Sequence, residues 1–232
     1  MYKYFDAHCH YSYLKKKYEG YLIAAVSMDY QSAMDTFSLK SDNVLVGVGI
    51  HPWRVHEEDL TRILSLIIKA DFVGEVGLDY RFAKAPKELQ IKYFEEQIKA
   101  GEGKLINVHA LDAWKDAFNI LVKNDVKSAI FHWYTGPINL LKDIESAGYF
   151  ISINPSVSFQ KKHQEVLKNV DLKNVLTESD GGYEYRGKLL EPSDIPNAIS
   201  FMSNFLGIEE YKLLRIISNN FFKAYGVNPV NN

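Results

Sequence analysis

Residues 4–10 read Tyr4-Phe5-Asp6-Ala7-His8-Cys9-His10, a short apolar run that ends in two histidines. We predict a β-strand here. Successive strand side chains point to opposite faces, so His8 and His10 lie on the same side. Cys9 points the other way, and we expect it to be a small buried hydrophobe rather than a ligand. A lone pair of histidines is weak evidence for a metal site, so the rest of the chain decides their role.

Short apolar runs like this one recur along the whole chain, separated by segments with helical periodicity. Several runs are rich in Val, Ile and Phe, as buried parallel strands tend to be. The helical segments carry apolar residues at spacings of one turn, which gives each segment one apolar face. The predicted strands are residues 4–10, 22–28, 44–51, 72–79, 104–109, 128–134, 149–154 and 175–180, and the clearest helices are residues 60–68, 89–98, 114–122, 140–147 and 209–225.

Eight strands alternating with helices is the number that closes a (β/α)₈ TIM barrel. An open doubly wound sheet is the competing architecture. No Ser/Gly-rich linker, charge block or internal repeat divides the sequence. We therefore predict a single α/β domain over residues 1–232.

Residues able to bind metal ions stand at or near the ends of the predicted strands. In a parallel barrel these carboxyl-terminal ends meet at one face, where active sites are built. The first and eighth strands become neighbours only if the sheet closes, so an ion shared between them would favour the barrel. There are more candidate ligands than one tetrahedral zinc site needs. A pair of ions about 3.5–4 Å apart, with one carboxylate bridging them, would account for the number. The candidate ligands are His8, His10, Glu75, His109, His132 and Asp180.

The composition is that of an ordinary globular chain. Its 232 residues are 47% hydrophobic, and 27 Lys and Arg against 29 Asp and Glu give a formal net charge of -2. Any contact with nucleic acid then has to depend on a local patch. A single cysteine excludes an intramolecular disulfide, and no apolar stretch suits a signal peptide or a membrane span. We expect a cytoplasmic monomer or weak oligomer with no membrane association and no obligate protein partner.

Six motifs and a tail occur in a fixed order between residues 5 and 226. They are Phe5-Asp6-Ala7-His8-Cys9-His10, Gly49-Ile50-His51-Pro52-Trp53, Gly74-Glu75-Val76-Gly77-Leu78-Asp79-Tyr80, Asn107-Val108-His109, Phe131-His132-Trp133-Tyr134-Thr135-Gly136, Thr177-Glu178-Ser179-Asp180 and the tail Asn220-Phe221-Phe222-Lys223-Ala224-Tyr225-Gly226. In this order they resemble the TatD-type metal-dependent hydrolases of the amidohydrolase superfamily, often described as deoxyribonucleases. The motif at residues 74–79 is specific, whereas the others are loose singly and strong together.

The resemblance implies a TIM barrel that binds two divalent ions, Mg²⁺, Mn²⁺ or Zn²⁺. One ion would be held by His8, His10 and Asp180. The other would be held by His109 and His132, with Glu75 bridging the two ions.

For the reaction we expect hydrolysis of a phosphodiester in nucleic acid, with DNA as the expected substrate, by a metal-activated water. Asp180 would be both ligand and general base, and Glu75 is the second candidate catalytic carboxylate. Asp79 could orient a ligand histidine. Glu178 shares the facing of Asp180 if its strand is regular, and a packing or salt-bridge role is the alternative for both carboxylates. The candidate substrate contacts are His51, Trp53 and Tyr183. Further loop aromatics that could stack bases are Tyr80, Trp133, Tyr134 and Tyr185, and loop cations that could meet phosphates are Arg81, Lys84, Arg186 and Lys188.

Three departures from the family pattern keep the substrate open. Leu111 stands where an arginine is common, Trp133 and Tyr134 replace small or polar residues, and residues 181–183 read Gly-Gly-Tyr instead of a small residue, proline and tyrosine. The alternative is an amidohydrolase-type activity on a small phosphoester, lactone or amide. Residues 74–79 argue against a histidinol-phosphatase-like fold, and the complete ligand set argues against a barrel that has lost activity.

Overall fold

Eight parallel strands follow one another around a sheet in the computed structural model, which describes residues 2–14 and 16–227. The strands are β1 (Tyr4–Cys9), β2 (Tyr21–Ala25), β3 (Val44–Val48), β4 (Phe72–Asp79), β5 (Ile106–Leu111), β6 (Ala129–Phe131), β7 (Phe150–Ile153) and β8 (Val175–Thr177). Each pairs in parallel with the next along the chain. This order is that of a (β/α)₈ barrel, as predicted, and differs from a doubly wound sheet, in which the strand order reverses.

Eight α-helices accompany these strands in the described residues. They are α1 (Tyr30–Ser38), α2 (Leu60–Ile67), α3 (Lys87–Ala100), α4 (Trp114–Lys123), α5 (Ile138–Ser146), α6 (Lys161–Asn169), α7 (Ile195–Leu206) and α8 (Glu210–Tyr225). Ile63 and Ile67 of α2 are buried, as the apolar spacing predicts. Ile68 is 66% exposed and lies one residue beyond the helix, so the predicted apolar face was one residue too long.

The predicted alternation of strands and helices is interrupted after β1. The described residues of this connection, 10–14 and 16–20, contain a 3₁₀ turn at Tyr11–Tyr13 and no α-helix. Two helices follow β8 instead, and α8 contacts both β1 and β8. The outer wall of the barrel beside β1 is therefore covered by α8, a helix near the end of the chain.

The end of α8 closes the amino-terminal end of the barrel. The ring of Tyr225 lies edge-on to Phe72, the first residue of β4, with 5.1 Å between centroids. Asn220 Nδ2 donates to the backbone oxygen of Val175, the first residue of β8, at 2.7 Å. This helix therefore occupies the opposite end of the barrel from the strand ends that carry the candidate ligands.

Hydrogen bonds between the end of β1 and the residues that follow β8 bring these two strands together, so that the barrel is nearly closed. The Asp180 amide donates to the His8 carbonyl at 3.0 Å, and the His10 amide donates to the Gly181 carbonyl at 2.7 Å. Buried Asp6 accepts from the Ser179 amide at 2.9 Å and from the Ser179 hydroxyl at 2.6 Å. The junction between β1 and β8 thus lies beside the first and last candidate ligands, as an ion shared between these two strands would require.

The prediction that Cys9 points away from the side of His8 and His10 is confirmed. Its side chain is fully buried in a small apolar cluster with Tyr11, Tyr18 and Ile23, away from the barrel interior. Among the described residues, no helix is both long enough and apolar enough to cross a lipid bilayer.

A small hairpin after β8 was not predicted from the sequence. It pairs β9 (Glu184–Tyr185) with β10 (Lys188–Leu189) in antiparallel fashion. Arg186 and Gly187 form its two-residue turn with φ of 53° and 77°, the pair of positive values that a tight hairpin turn uses.

Candidate metal centre

The six predicted metal-binding residues converge at the carboxyl-terminal end of the barrel, together with His51. Glu75 lies in the fully buried strand β4 and occupies the middle of the cluster, with 2% of its surface exposed. Each of its carboxylate oxygens faces a different set of side chains. We name the set around Glu75 Oε2 the Oε2 group (His8, His10, Asp180) and the set around Oε1 the Oε1 group (His51, His109, His132).

Distances in the Oε2 group match the edges of a metal coordination shell. His8 Nε2 lies 3.5 Å from Glu75 Oε2 and 3.5 Å from Asp180 Oδ1, and His10 Nε2 lies 3.3 and 3.4 Å from the same two atoms. Metal–ligand bonds of about 2.1 Å in a tetrahedral site place neighbouring ligand atoms about 3.4 Å apart. Charge-assisted hydrogen bonds are shorter, about 2.7–2.9 Å.

Unpaired atoms in the Oε2 group point to the same conclusion. His8 Nε2 and Asp180 Oδ1 are buried and have no hydrogen-bond partner among the described residues. Buried polar atoms are almost always paired, so two unpaired acceptors facing each other call for a cation between them. The residues present therefore fit a divalent ion.

The Oε1 group is held together by direct contacts of hydrogen-bond length. Glu75 Oε1 lies 2.9 Å from His109 Nδ1, 2.9 Å from His132 Nε2 and 3.2 Å from His51 Nε2. His109 Nδ1 and His132 Nε2 are themselves 3.2 Å apart. Three sets of side chains bring ligand atoms within 4.8 Å of one another, as a metal ion requires: His8, Glu75 and His132; His8, His10 and Asp180; and His51, Glu75 and His109.

A hydrogen-bond chain from the bottom of the barrel determines which nitrogen of His8 faces the cluster. Asn107 Nδ2 donates to the Ala7 carbonyl at 2.8 Å, so its Oδ1 is the acceptor for His8 Nδ1 at 2.8 Å. His8 therefore carries its hydrogen on Nδ1 and presents the lone pair of Nε2. Tyr225 of α8 donates to the same Ala7 carbonyl at 2.7 Å. The ring of His8 is thus oriented from the end of the barrel opposite the site.

Carboxylates orient two histidines of the Oε1 group in a comparable way. Asp79 Oδ2 lies 3.0 Å from His109 Nε2 and also accepts from Trp53 Nε1 at 2.6 Å. Fully buried Glu178 places Oε1 3.6 Å from His132 Nδ1 and accepts from the Ser152 hydroxyl at 2.5 Å. Asp79 therefore holds the outer nitrogen of His109 by a hydrogen bond. Glu178 places its charge beside the outer nitrogen of His132 without a hydrogen bond between them.

His51 differs from the other histidines of the cluster. Its Nδ1 accepts a hydrogen bond from the Trp53 amide at 3.1 Å, which leaves the ring hydrogen on Nε2, directed at Glu75 Oε1. Burial lowers the pKa of His51 to about 4. The neutral ring therefore donates to Glu75 and holds this carboxylate in place.

The charges of the cluster are strongly coupled. Burial alone would favour uncharged groups, but the carboxylates of Asp180 and Glu75 outweigh it and raise the pKa of His10 to about 9. Burial works against ionisation of Glu75 as well, yet the surrounding histidines hold its pKa well below the usual range. Without metal, protons on histidines thus balance the buried carboxylates, and metal binding must displace some of these protons.

Backbone geometry explains the second glycine of the motif at residues 74–79. Gly77 has a φ of 138°, and a Cβ added there would lie 2.0 Å from the His109 carbonyl oxygen. Asp180 also adopts a positive φ, 52°, three residues after the end of β8. Asp tolerates this left-handed conformation better than most residues, and here the chain turns at the point where its carboxylate meets His8.

A cleft of 680 Å³ opens beside the cluster between the loops after β1 to β4 and β8. Trp53 and Tyr183, two of the predicted substrate contacts, line it. His51, the third, is 2% exposed and lies beneath, against Glu75. Tyr134 was predicted in a loop at the active face, but it is fully buried because its ring packs on Trp114 and its hydroxyl donates to the Pro137 carbonyl.

Sequence reasoning did not assign a role to Asn107. A signal was present, because Asn107 is two residues before His109 on a buried strand and so faces the same interior. Its partner His8 is 99 positions away in the chain, which no local pattern reveals.

Comparison with known proteins agrees with this geometry. The sequence model of the family described as TatD related DNase matches residues 5–226. An uncharacterized metal-dependent hydrolase of Methanocaldococcus jannaschii is 27% identical, with 96% of this chain and 97% of that protein covered. A mouse protein whose name provisionally describes it as a deoxyribonuclease is 24% identical over 95% of this chain and 87% of its own length.

Solved structures show the same fold. A TatD homologue from Escherichia coli superimposes with a TM-score of 0.85 at 16% identity, covering 97% of this chain and 99% of the other. A TatD-family hydrolase from Entamoeba histolytica gives a TM-score of 0.81 at 16% identity, covering 97% and 98%. With the family's sequence model matching nearly the whole chain, the protein belongs to the TatD-related DNase family of metal-dependent hydrolases.

Proposed function

We propose that this chain hydrolyses phosphodiester bonds in nucleic acid, with DNA as the expected substrate. The observation that carries the proposal is the pair of ligand groups that share Glu75, beside an open cleft whose wall residues Tyr13 and Trp53 contact His10 and His109. The Oε2 group would hold one divalent ion, and His109 and His132 of the Oε1 group would hold a second, with Glu75 between them. When bound, such ions supply the positive charge that stabilises an attacked phosphate and makes water reactive near neutral pH.

Asp180 is the residue best placed to move a proton. It is buried at the edge of the cluster, and despite that burial the neighbouring His10 holds the pKa of this carboxyl below its usual range. Asp180 would therefore be ionised at neutral pH and would accept the proton of the attacking water. His51 and Asp79 would keep Glu75 and His109 in position during the reaction through the hydrogen bonds described above.

The cleft beside the cluster suits a polymeric anion better than a small neutral molecule. Aromatic side chains from several loops line it, and they offer faces on which bases can stack. Lys84 adds a positive charge to the cleft, whereas Arg54 is paired with Asp29 and Glu57, which line the same cleft. The aromatic residues of the cleft are Tyr13, Trp53, Phe82 and Tyr183.

The second candidate function is hydrolysis of a small phosphoester, lactone or amide. It is favoured by Leu111, at the end of β5, which stands where the family commonly has an arginine that could meet a phosphate. Both functions need the same metal cluster, so only the substrate separates them.

The test is a substrate comparison with purified protein loaded in turn with Mg²⁺, Mn²⁺ and Zn²⁺. Single-stranded DNA, duplex DNA, RNA and a panel of small esters, lactones and amides would be assayed beside Asp180→Asn protein. We expect cleavage of DNA that the Asp180→Asn substitution abolishes. Turnover of a lactone or amide without cleavage of any nucleic acid would contradict the proposal and support the second candidate.

A further inference from the structure

A second cleft, of 400 Å³, lies beside the hairpin β9–β10 at the same end of the barrel. Its walls come from the loop after β7, including Phe159, and from the hairpin, including Tyr185 and Arg186. The larger cleft is formed mainly by the loops after β1 to β4, so the two clefts lie on different sides of the metal cluster.

A continuous set of aromatic rings leads from the metal cluster into this second cleft. Trp133 directly follows His132, and its ring lies 5.0 Å from that of Tyr185 and 6.5 Å from that of Tyr183. The Tyr185 ring is nearly parallel to Phe159, with 6.2 Å between centroids and 14° between planes. Trp133 is held in place by its Nε1 hydrogen bond to Gln160 at 3.1 Å.

The far end of this path combines an exposed aromatic face with an available cation. Phe159 is 52% exposed, although a large apolar side chain gains by burial. The Arg186 guanidinium lies 5.2 Å from the Phe159 ring and 5.4 Å from the Tyr185 ring. Within residues 2–14 and 16–227, no carboxylate lies within 4.0 Å of the Arg186 nitrogens, whereas Lys188 of the same hairpin is paired with Asp194.

We propose that Phe159, Tyr185 and Arg186 form a subsite for a nucleotide of a single strand that lies beyond the cleaved phosphodiester. The base stacks on the two rings, and the guanidinium meets the adjoining phosphate. This inference rests on the proposed nuclease function and narrows the range of preferred substrates. The enzyme then prefers strands that extend past the metal cluster over small diesters.

The experiment compares two substrates in wild type and in three variants, Phe159→Ala, Tyr185→Ala and Arg186→Ala. One substrate is a short single-stranded DNA and the other is bis(p-nitrophenyl) phosphate, a diester that carries no further nucleotide to occupy the second cleft. We expect the ratio of kcat/KM for DNA to kcat/KM for the small diester to fall about tenfold in each aromatic variant. Binding of fluorescent DNA in EDTA, measured by anisotropy, gives a second readout that does not need turnover, and it should weaken by a similar factor.

An oligonucleotide with abasic positions distinguishes the loss of base stacking from a general loss of DNA binding in the variants. Wild type should bind it more weakly than the intact strand, whereas Phe159→Ala and Tyr185→Ala protein should discriminate little between the two. Tyr211→Ala and Arg215→Ala, at exposed positions of α8, are the matched controls. Unchanged ratios and unchanged DNA binding in a wild type that cleaves DNA would overturn the subsite, whereas a wild type that cleaves neither diester would overturn the proposed function itself.

Discussion

The two sides of Glu75 are built differently, although both consist of buried histidines. In the Oε2 group the ligand atoms stand 3.3–3.5 Å apart, and two of them lack hydrogen-bond partners. In the Oε1 group the contacts of Glu75 with His109 and His132 are 2.9 Å, a length typical of charge-assisted hydrogen bonds.

This difference indicates how each group would receive an ion. The Oε2 group already has the spacing of a coordination shell, so an ion can enter with little movement. The Oε1 group is joined by protons that an ion must displace, with His109 and His132 moving away from Glu75 Oε1. We therefore expect the first ion to bind in the Oε2 group and the second, with lower affinity, in the Oε1 group.

The largest effect should come from Glu75, the residue that both groups share. Glu75→Gln keeps the shape of the side chain but removes the charge that both ions would use. We expect kcat/KM to fall more than about 100-fold, beyond the loss typical of residues that only orient ligands. Metal content per chain should fall with it. Glu165→Gln, on the exposed side of α6, is the control, and full metal content in Glu75→Gln protein would show that the carboxylate is not shared.

A comparison of His8→Ala with His109→Ala tests the proposed order of binding. His8→Ala should weaken the tighter of two binding steps in a calorimetric titration with Mn²⁺. The substitution removes Nε2, an unpaired ligand atom of the Oε2 group, where we expect the first ion to bind. His109→Ala should leave that first step nearly intact and remove the second. If both variants lose the same step, the two groups are not separate binding positions.

Smaller effects are expected from residues that only orient a ligand ring. Asn107→Leu removes the acceptor for His8 Nδ1, and Glu178→Gln removes the charge that faces His132 Nδ1. Each should weaken metal binding about 10- to 100-fold. Asn107→Leu should act on the first binding step and Glu178→Gln on the second. Asn107→Asp retains an acceptor for His8 and should recover much of the affinity, which a purely structural role would not explain.

The smallest effect is a dependence of metal affinity on pH. The pKa of His10 in the metal-free protein is raised to about 9, so this ring is protonated at neutral pH and must lose its proton to bind metal. Affinity should therefore increase from pH 7 towards pH 9 and level off above it. Titrations in buffers of different ionisation enthalpy would measure the released protons, and an affinity that does not change over this range would contradict the assignment.

The sequence was sufficient to predict the barrel and the cluster because the strands are buried apolar runs, and most of them carry an unusual polar residue within the run or at its end. Glu75 and His109 could be recognised this way, since a carboxylate or histidine is expensive to bury without a role. That β1 and β8 are neighbours could be predicted from closure of the sheet.

Other features left no local pattern in the sequence. The hairpin at Arg186 consists of two-residue strands, too short for any periodicity. Tyr134 was predicted at the active face but is buried, whereas Phe159, to which no role was assigned, is exposed. The burial of a loop aromatic depends on distant neighbours such as Trp114. The hydrogen bonds that orient His8 and His51 depend on the folded backbone. The presence of a single domain stays a prediction.

The most direct test of a shared carboxylate is electron paramagnetic resonance of the protein titrated with Mn²⁺, with metal content measured in parallel. Two ions bridged by Glu75 should bind per chain and give the spectrum of a spin-coupled pair, and Glu75→Gln protein should lose that coupling. A single ion per chain, or two ions with uncoupled spectra in the wild type, would contradict the account.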